Sequence, residues 1–185
     1  MAWIQVVHEE QAQGRLREFY DKVVENRGKV ANIFKVHSLN PDAMKAHMDL
    51  YLTIMYGSSG LSRAQREMIA VAVSAANECE YCIVHHSAAL GRYVRDGAFV
   101  KQLSLDYTNA PLSSKDRVML GYAVKLTKNM TDVGEEDVQN LRDAGFADEE
   151  ILSITLVVSY FNFVNRIVEG LGVKLEQEGG GGYKY

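Results

Sequence analysis

Cys79 and Cys82 are the only cysteines in the chain, and they fall three positions apart in Asn77-Glu78-Cys79-Glu80-Tyr81-Cys82-Ile83-Val84-His85-His86. If a helix begins near Cys79, both thiols lie on neighbouring turns of one face. His86, four residues past Cys82, continues that face, and His85 flanks the same sulfur from the side. Either imidazole can accept a proton or steady a thiolate with its own charge. A helix N-terminus also lowers the pKa of a thiol placed there. Such a thiolate suits attack on an electrophile such as a peroxide oxygen, and the second thiol resolves the sulfenate to a disulfide before over-oxidation. Glu67 precedes Cys79 by twelve residues. Two antiparallel helices joined by a short turn bring its carboxylate towards the thiols. A partly buried carboxylate has a raised pKa and shuttles protons near neutrality.

Three other readings stay open at this level. Cys79, Cys82 and His86 are all possible zinc ligands, but a fourth is needed, and His85 points about 100° around the helix from His86. The thiols can also be two buried cysteines at a chance spacing. Glu67 can be a structural ion pair with Arg63, Arg66 or Arg117. Ile83 excludes covalent haem, which requires histidine there. Tyr81 reads as a wall residue, and His37 and His47 read as surface or interface side chains. No metal or cofactor is expected.

The elements that must position these groups read as helices. The chain has 185 residues, of which 47% are apolar, and only two prolines. That is enough for one domain with a real core and no need of a disulfide staple. A helix over residues 9–27 ends at Gly28. Asn40-Pro41 starts another, with Met44, Met48, Tyr51, Leu52 and Met55 on one face. Ser62 and Gln65 form a capping box before a run, Met68 to Ala76, that is apolar all round and belongs at the centre. Asn77 reads as its left-handed stop, and the CxxC segment opens the next helix, to about Val94. Further helices are expected over 98–105, from Ser113 to Lys128, from Thr131 or Asp132 to Gly145, and over 149–170, capped by Asp148. The buried amides Asn162 and Asn165, with Arg166, need partners and are expected to fix helix ends or a subunit contact. No strand pattern appears. The fold is therefore all-α, about seven or eight helices, with 1–175 as one domain and 176–185, which holds Gly179 to Gly182, as a flexible tail.

A net charge of −4 with interspersed signs offers nothing to a phosphate backbone, so nucleic acid is not an expected partner. Residues Met1 to Gln5 lack a secretory pattern. The apolar stretch Ile151 to Val168 is broken by Ser153, Ser159, Asn162, Asn165 and Arg166, so it reads as a buried helix rather than a membrane span. A cytoplasmic location is expected, where a CxxC pair is more often redox-active or metal-binding than a structural bridge.

Glu67, Cys79-Glu80-Tyr81-Cys82 and His86 together match E-x11-C-x2-C-x3-H at every position. That pattern resembles the AhpD-like alkylhydroperoxidases of the carboxymuconolactone decarboxylase superfamily. Met1-Ala2-Trp3-Ile4, Arg27 to Asn32, His37-Ser38-Leu39, Leu141 to Phe146 and Tyr160 to Arg166 resemble its peroxidase-related subgroup. The resemblance implies an AhpD-like helical bundle, a homotrimer or homohexamer, and thiol-based reduction of hydroperoxides recharged by a dithiol or protein reductant. It implies Cys82 as the attacking thiol, Cys79 as the resolving thiol, and His86 with Glu67 as the proton relay, with Tyr81 and His85 in support. Founding members carry a second histidine where this chain has Tyr81, whose hydroxyl donates a hydrogen bond but does not titrate near neutrality. The superfamily also includes cysteine-independent decarboxylases, so a lyase or a small-molecule binding protein on the same fold is the alternative.

Overall fold

A computed structural model describes residues 2–177 and 179–183; Met1, and positions 178, 184 and 185 of the expected tail, lie outside them. The described residues form nine α-helices and no strand. They are α1 (Gly14–Arg27), α2 (Asn32–Lys35), α3 (Pro41–Tyr56), α4 (Arg63–Ala76), α5 (Glu80–Leu90), α6 (Gly97–Leu105), α7 (Ser114–Lys128), α8 (Glu135–Asp143) and α9 (Asp148–Leu171). The helix beyond the expected seven or eight is α2, a single turn too short to show a period.

α4 is the centre. Every residue from Arg66 to Ser74 is buried, and α3, α5, α6, α7 and α9 all pack on it. Its start is the capping box read from the sequence: Gln65 N–H donates to Ser62 Oγ at 3.1 Å, and Ser62 N–H donates to Gln65 Oε1 at 3.0 Å. Asn40 caps α3 by accepting from Ala43 N–H, and Ser113 caps α7 by accepting from Asp116 N–H. At α9, Ala147 rather than Asp148 holds the cap position, and Glu150 reaches back to accept from Ala147 N–H at 2.8 Å. Among the described helices α9 alone is long and apolar enough to cross a membrane. Half of its most apolar stretch is buried inside the protein, as expected of a core helix.

The turn from α4 into α5 differs from the sequence expectation. Asn77 stays right-handed, and Glu78 takes the left-handed position at φ 58°. Cys79 N–H then reaches back to Ser74 C=O at 2.9 Å, and Glu78 N–H to Ala75 C=O at 3.0 Å. This pair of bonds is a Schellman closure of α4. Asn77 is used otherwise. Its side-chain amide donates to Asn162 Oδ1 at 3.2 Å and Asn165 Oδ1 at 2.9 Å, and Asn165 donates to Ser74 Oγ at 3.2 Å. The buried Asn165 and half-buried Asn162 of α9 thus clamp the end of α4, which is the helix-fixing role expected of them.

The described part of 176–185, expected as a flexible tail, lies against the body: Asn32 N–H donates to the Glu176 carboxylate, Arg92 Nη2 donates to Tyr183 C=O, and Tyr183 is buried. A Cβ on Gly180 would stand 2.8 Å from the His85 backbone, so this close approach needs glycine.

A left-handed residue that is not glycine costs about 1 kcal/mol. Glu78→Gly is therefore expected to stabilise the protein and to raise its Tm by about 2–4 °C. A fall in Tm on thermal unfolding would show that the Glu78 side chain holds the turn.

Candidate functional site

The short turn sets α4 and α5 side by side, so groups far apart in sequence meet. Cys79 occupies the N-cap of α5 with no exposed surface, and Cys82 lies one turn in, 2% exposed; both are free thiols. Glu67, on α4, is fully buried. Its Oε1 accepts from Arg63 Nη2 at 2.7 Å, and its Oε2 lies 2.7 Å from His86 Nδ1. Of the three arginines considered for it, Arg63 is the partner. A carboxylate paired with Arg63 accepts, so Nδ1 of His86 carries a hydrogen and Nε2 is the nitrogen through which the ring can exchange a proton. The Phe161 ring, 4.5 Å away at 81°, fixes the imidazole plane.

Cys82 and His86 line one chamber of about 60 Å3, whose other walls include Phe34, Tyr51, Tyr81, His85, Tyr160 and Phe161, with Arg27 and Lys29 at its edge. Cys79 is not among its walls. The two thiols are therefore unequal: one opens on a space and the other lies behind it. The Cys82 thiol is pushed well above the ordinary thiol range by its hydrogen bond with Cys79, by burial and by the charge Cys79 takes on ionising. Asn165 pulls weakly the other way. This departs from the lowered pKa expected of a helix N-terminus, because two neighbouring buried thiols resist holding two charges. Cys82 therefore needs a base close by at the moment it reacts.

His85 and Tyr81 belong to a second cluster. Glu176 Oε2 lies 2.7 Å from His85 Nε2, and Glu176 Oε1 accepts from Tyr81 Oη at 2.9 Å and from Asn32 N–H at 2.7 Å. Tyr81 Oη in turn accepts from Ile33 N–H at 3.3 Å. Both of its hydrogen-bonding capacities are directed away from the thiols, so it anchors the segment after α9. Burial would raise the Glu176 carboxyl, but His85 and the Asn32 N–H outweigh it and hold it at about 2. Two adjacent histidines are thus each oriented by a carboxylate, His86 by Glu67 and His85 by Glu176.

Sequence reasoning missed Glu176, which precedes a glycine run and has no periodic neighbours to mark it. It also placed His47 at the surface or an interface. The structure buries His47, 4% exposed, with Nε2 2.8 Å from Tyr160 Oη. The signal was available: position 47 lies three after Met44 and four before Tyr51, on the face already assigned to the core. Among the described residues, no group of three His, Cys, Asp or Glu side chains is arranged to hold a metal ion.

A carboxymuconolactone decarboxylase family model matches residues 41–93, which span the site. The alkylhydroperoxidase AhpD core structure of an uncharacterized peroxidase-related protein from Ralstonia eutropha JMP134 is 31% identical. It superposes with a TM-score of 0.87 over 96% of this chain and 93% of that one. An uncharacterized peroxidase-related protein from Silicibacter sp. TM1040 is 33% identical, with a TM-score of 0.84 over 97% and 91%. The debrominase Bmp8 shares the fold at 19% identity, with a TM-score of 0.77 over 93% and 91%. A search of curated proteins finds no match. The chain belongs to the AhpD-like, peroxidase-related branch of the carboxymuconolactone decarboxylase superfamily.

The Glu176 contacts have a defined pH dependence. A carboxyl whose folded pKa, about 2, lies below its ordinary 4.5 contributes stability that is complete above pH 4.5 and fades as the pH falls towards 2. The latch is therefore fully formed at neutral pH. Glu176→Ala at pH 7 is expected to speed hydrogen exchange of the Asn32 amide at least tenfold, the equivalent of ~1.4 kcal/mol. An unchanged rate would show that the carboxylate does not hold this segment.

Proposed function

We propose that this protein is a thiol-dependent peroxidase that reduces alkyl or other hydroperoxides through a Cys79–Cys82 dithiol/disulfide cycle. The observation that carries this reading is the position of Cys82, which opens on the same chamber as an imidazole oriented by the buried Glu67 carboxylate. Nε2 of His86 takes the Cys82 proton as the sulfur attacks the terminal oxygen of ROOH. The S–O bond forms, the O–O bond breaks, and the electron pair leaves on RO, which takes the proton from His86 and departs as ROH. Cys79 then attacks the Cys82 sulfenic acid, forming the disulfide and releasing water. An external dithiol or protein dithiol reduces the disulfide. Glu67 steadies the imidazolium formed between these steps, as a carboxylate behind a catalytic histidine does. No cofactor enters the cycle.

The alternative on this fold, a cysteine-independent lyase or binding protein, leaves the Cys82 sulfur that borders the chamber without a task. Steady-state peroxide consumption separates the two. Cys82→Ser is expected to abolish it. Cys79→Ser is expected to permit one turnover and then stall at sulfenic or sulfinic acid, and Glu67→Gln to slow turnover about 10²-fold. Full activity in the Cys79→Ser/Cys82→Ser double variant would overturn the proposal.

The apolar side chains Leu152, Leu156 and Phe163 recur along the outer face of α9, 60%, 43% and 46% exposed. This stripe supports assembly as a homo-oligomer. Sedimentation of Leu156→Asp is expected to show a smaller particle than the unmodified protein, and an identical particle would remove the stripe from the interface.

A further inference from the structure

The relay described so far accounts for the Cys82 proton. It leaves unanswered what meets the negative charge that gathers on the leaving peroxide oxygen. A second pair of polar side chains meets at this chamber: Tyr160 on α9 lines it, and His47 on α3 stands behind Tyr160, with Nε2 2.8 Å from its Oη.

His47 sits in an aromatic enclosure. Ring centroids of Phe34, Phe163 and His37 stand 5.0, 5.4 and 4.9 Å from its own. Nε2 faces Tyr160 Oη, while Nδ1 is buried with no hydrogen-bond partner. Burial, reinforced by the neighbouring His37, holds its pKa at about 3, so the ring is neutral and carries one N–H. Either tautomer leaves one donor without a partner in the protein: Nδ1–H, sealed in the aromatic enclosure, or the Tyr160 O–H, on a residue that lines the chamber, where a bound molecule can accept from it. The hydrogen therefore belongs on Nε2, and His47 is the donor to Tyr160. A tyrosine oxygen that accepts from His47 keeps its own hydroxyl hydrogen to give elsewhere. Tyr81 cannot serve the chamber this way, because its hydrogen goes to Glu176.

We propose that Tyr160 is a further catalytic residue, its O–H turned into the Cys82 chamber by His47 to hydrogen-bond the peroxide oxygen that leaves as ROH. This rests on the peroxidase reading of the site. The phenol donates a hydrogen bond and keeps its own proton; the proton that completes ROH is the one His86 took from Cys82. Burial, together with the negative charge at Cys82, pushes Tyr160 well above the ordinary phenol range, so it remains a donor throughout. Its effect is confined to breaking the O–O bond. Resolution by Cys79 releases water and does not require it. His47 is a positioning residue that acts through Tyr160.

The test combines single-turnover kinetics of reduced protein with the nitrogen chemical shifts of His47. Tyr160→Phe is expected to slow Cys82 oxidation by cumene hydroperoxide about 10²-fold, the cost of one lost oxyanion donor, with the sulfenate-to-disulfide rate unchanged. His47→Gln, whose amide N–H can still donate to Tyr160, is expected to stay within a few-fold of the unmodified protein, and His47→Leu to fall to the Tyr160→Phe rate. NMR of the unmodified protein is expected to show Nε2 protonated and Nδ1 bare. This readout does not depend on any variant folding. A wild-type oxidation rate in Tyr160→Phe, or a proton on Nδ1, overturns the proposal. Neither result touches the peroxidase reading, which fails only if Cys82→Ser keeps its activity or the unmodified protein has none.

Discussion

A carboxyl group with no exposed surface sits in the second turn of the central helix, and the site is arranged around giving it partners. Burying such a group without partners costs several kcal/mol. Glu67 has two partners, Arg63 one turn earlier on its own helix and His86 on the helix packed against it. The first offsets the charge. The second makes α4–α5 packing a condition of satisfying it and fixes which nitrogen of His86 bears the hydrogen. The arginine is itself held over the Tyr56 ring at 3.7 Å, so the arrangement extends to the end of α3. A proton relay and a folding constraint are here the same hydrogen bonds.

The thiols depend on the same packing. The Schellman closure at Glu78 and the Asn77–Asn165–Ser74 clamp hold the α4–α5 turn, and the turn places Cys79 behind Cys82. The hydrogen bond with Cys79, burial and the repulsion of a second charge leave Cys82 reluctant to ionise, which gives the oriented imidazole its purpose. On the far side of α5, the segment after α9 repeats the device with Glu176 and His85. Founding members of the family place a second histidine where this chain has Tyr81. Here the Tyr81 hydroxyl fastens that segment, while the Tyr81 and Tyr160 side chains both line the chamber.

Much of this was legible in the sequence wherever the signal was local. Capping residues at Asn40, Ser62 and Ser113 marked helix starts because each satisfies backbone groups within three residues. The all-apolar run after Met68 marked α4 as central. The offset between Glu67 and Cys79 implied an antiparallel pair, although the carboxylate meets His86, one turn beyond Cys82 on α5. What could not be read depends on distant chain segments. Glu176 meets Tyr81 and His85 across more than ninety positions, and no local pattern encodes that. Asn77 was assigned the left-handed turn on residue preference, but its amide was needed by α9, and Glu78 took the strained conformation. The raised Cys82 pKa came from burial and from Cys79, neither of which a helix-dipole argument weighs.

The central claim is that Cys82 and Cys79 form one redox couple, with attack and resolution divided between them. The most direct measurement treats fully reduced protein with one equivalent of cumene hydroperoxide and maps the product by mass spectrometry. The account predicts loss of two hydrogens and a single Cys79–Cys82 disulfide, formed in step with one equivalent of alcohol. Consumption of the hydroperoxide with both thiols still open to alkylation would contradict it.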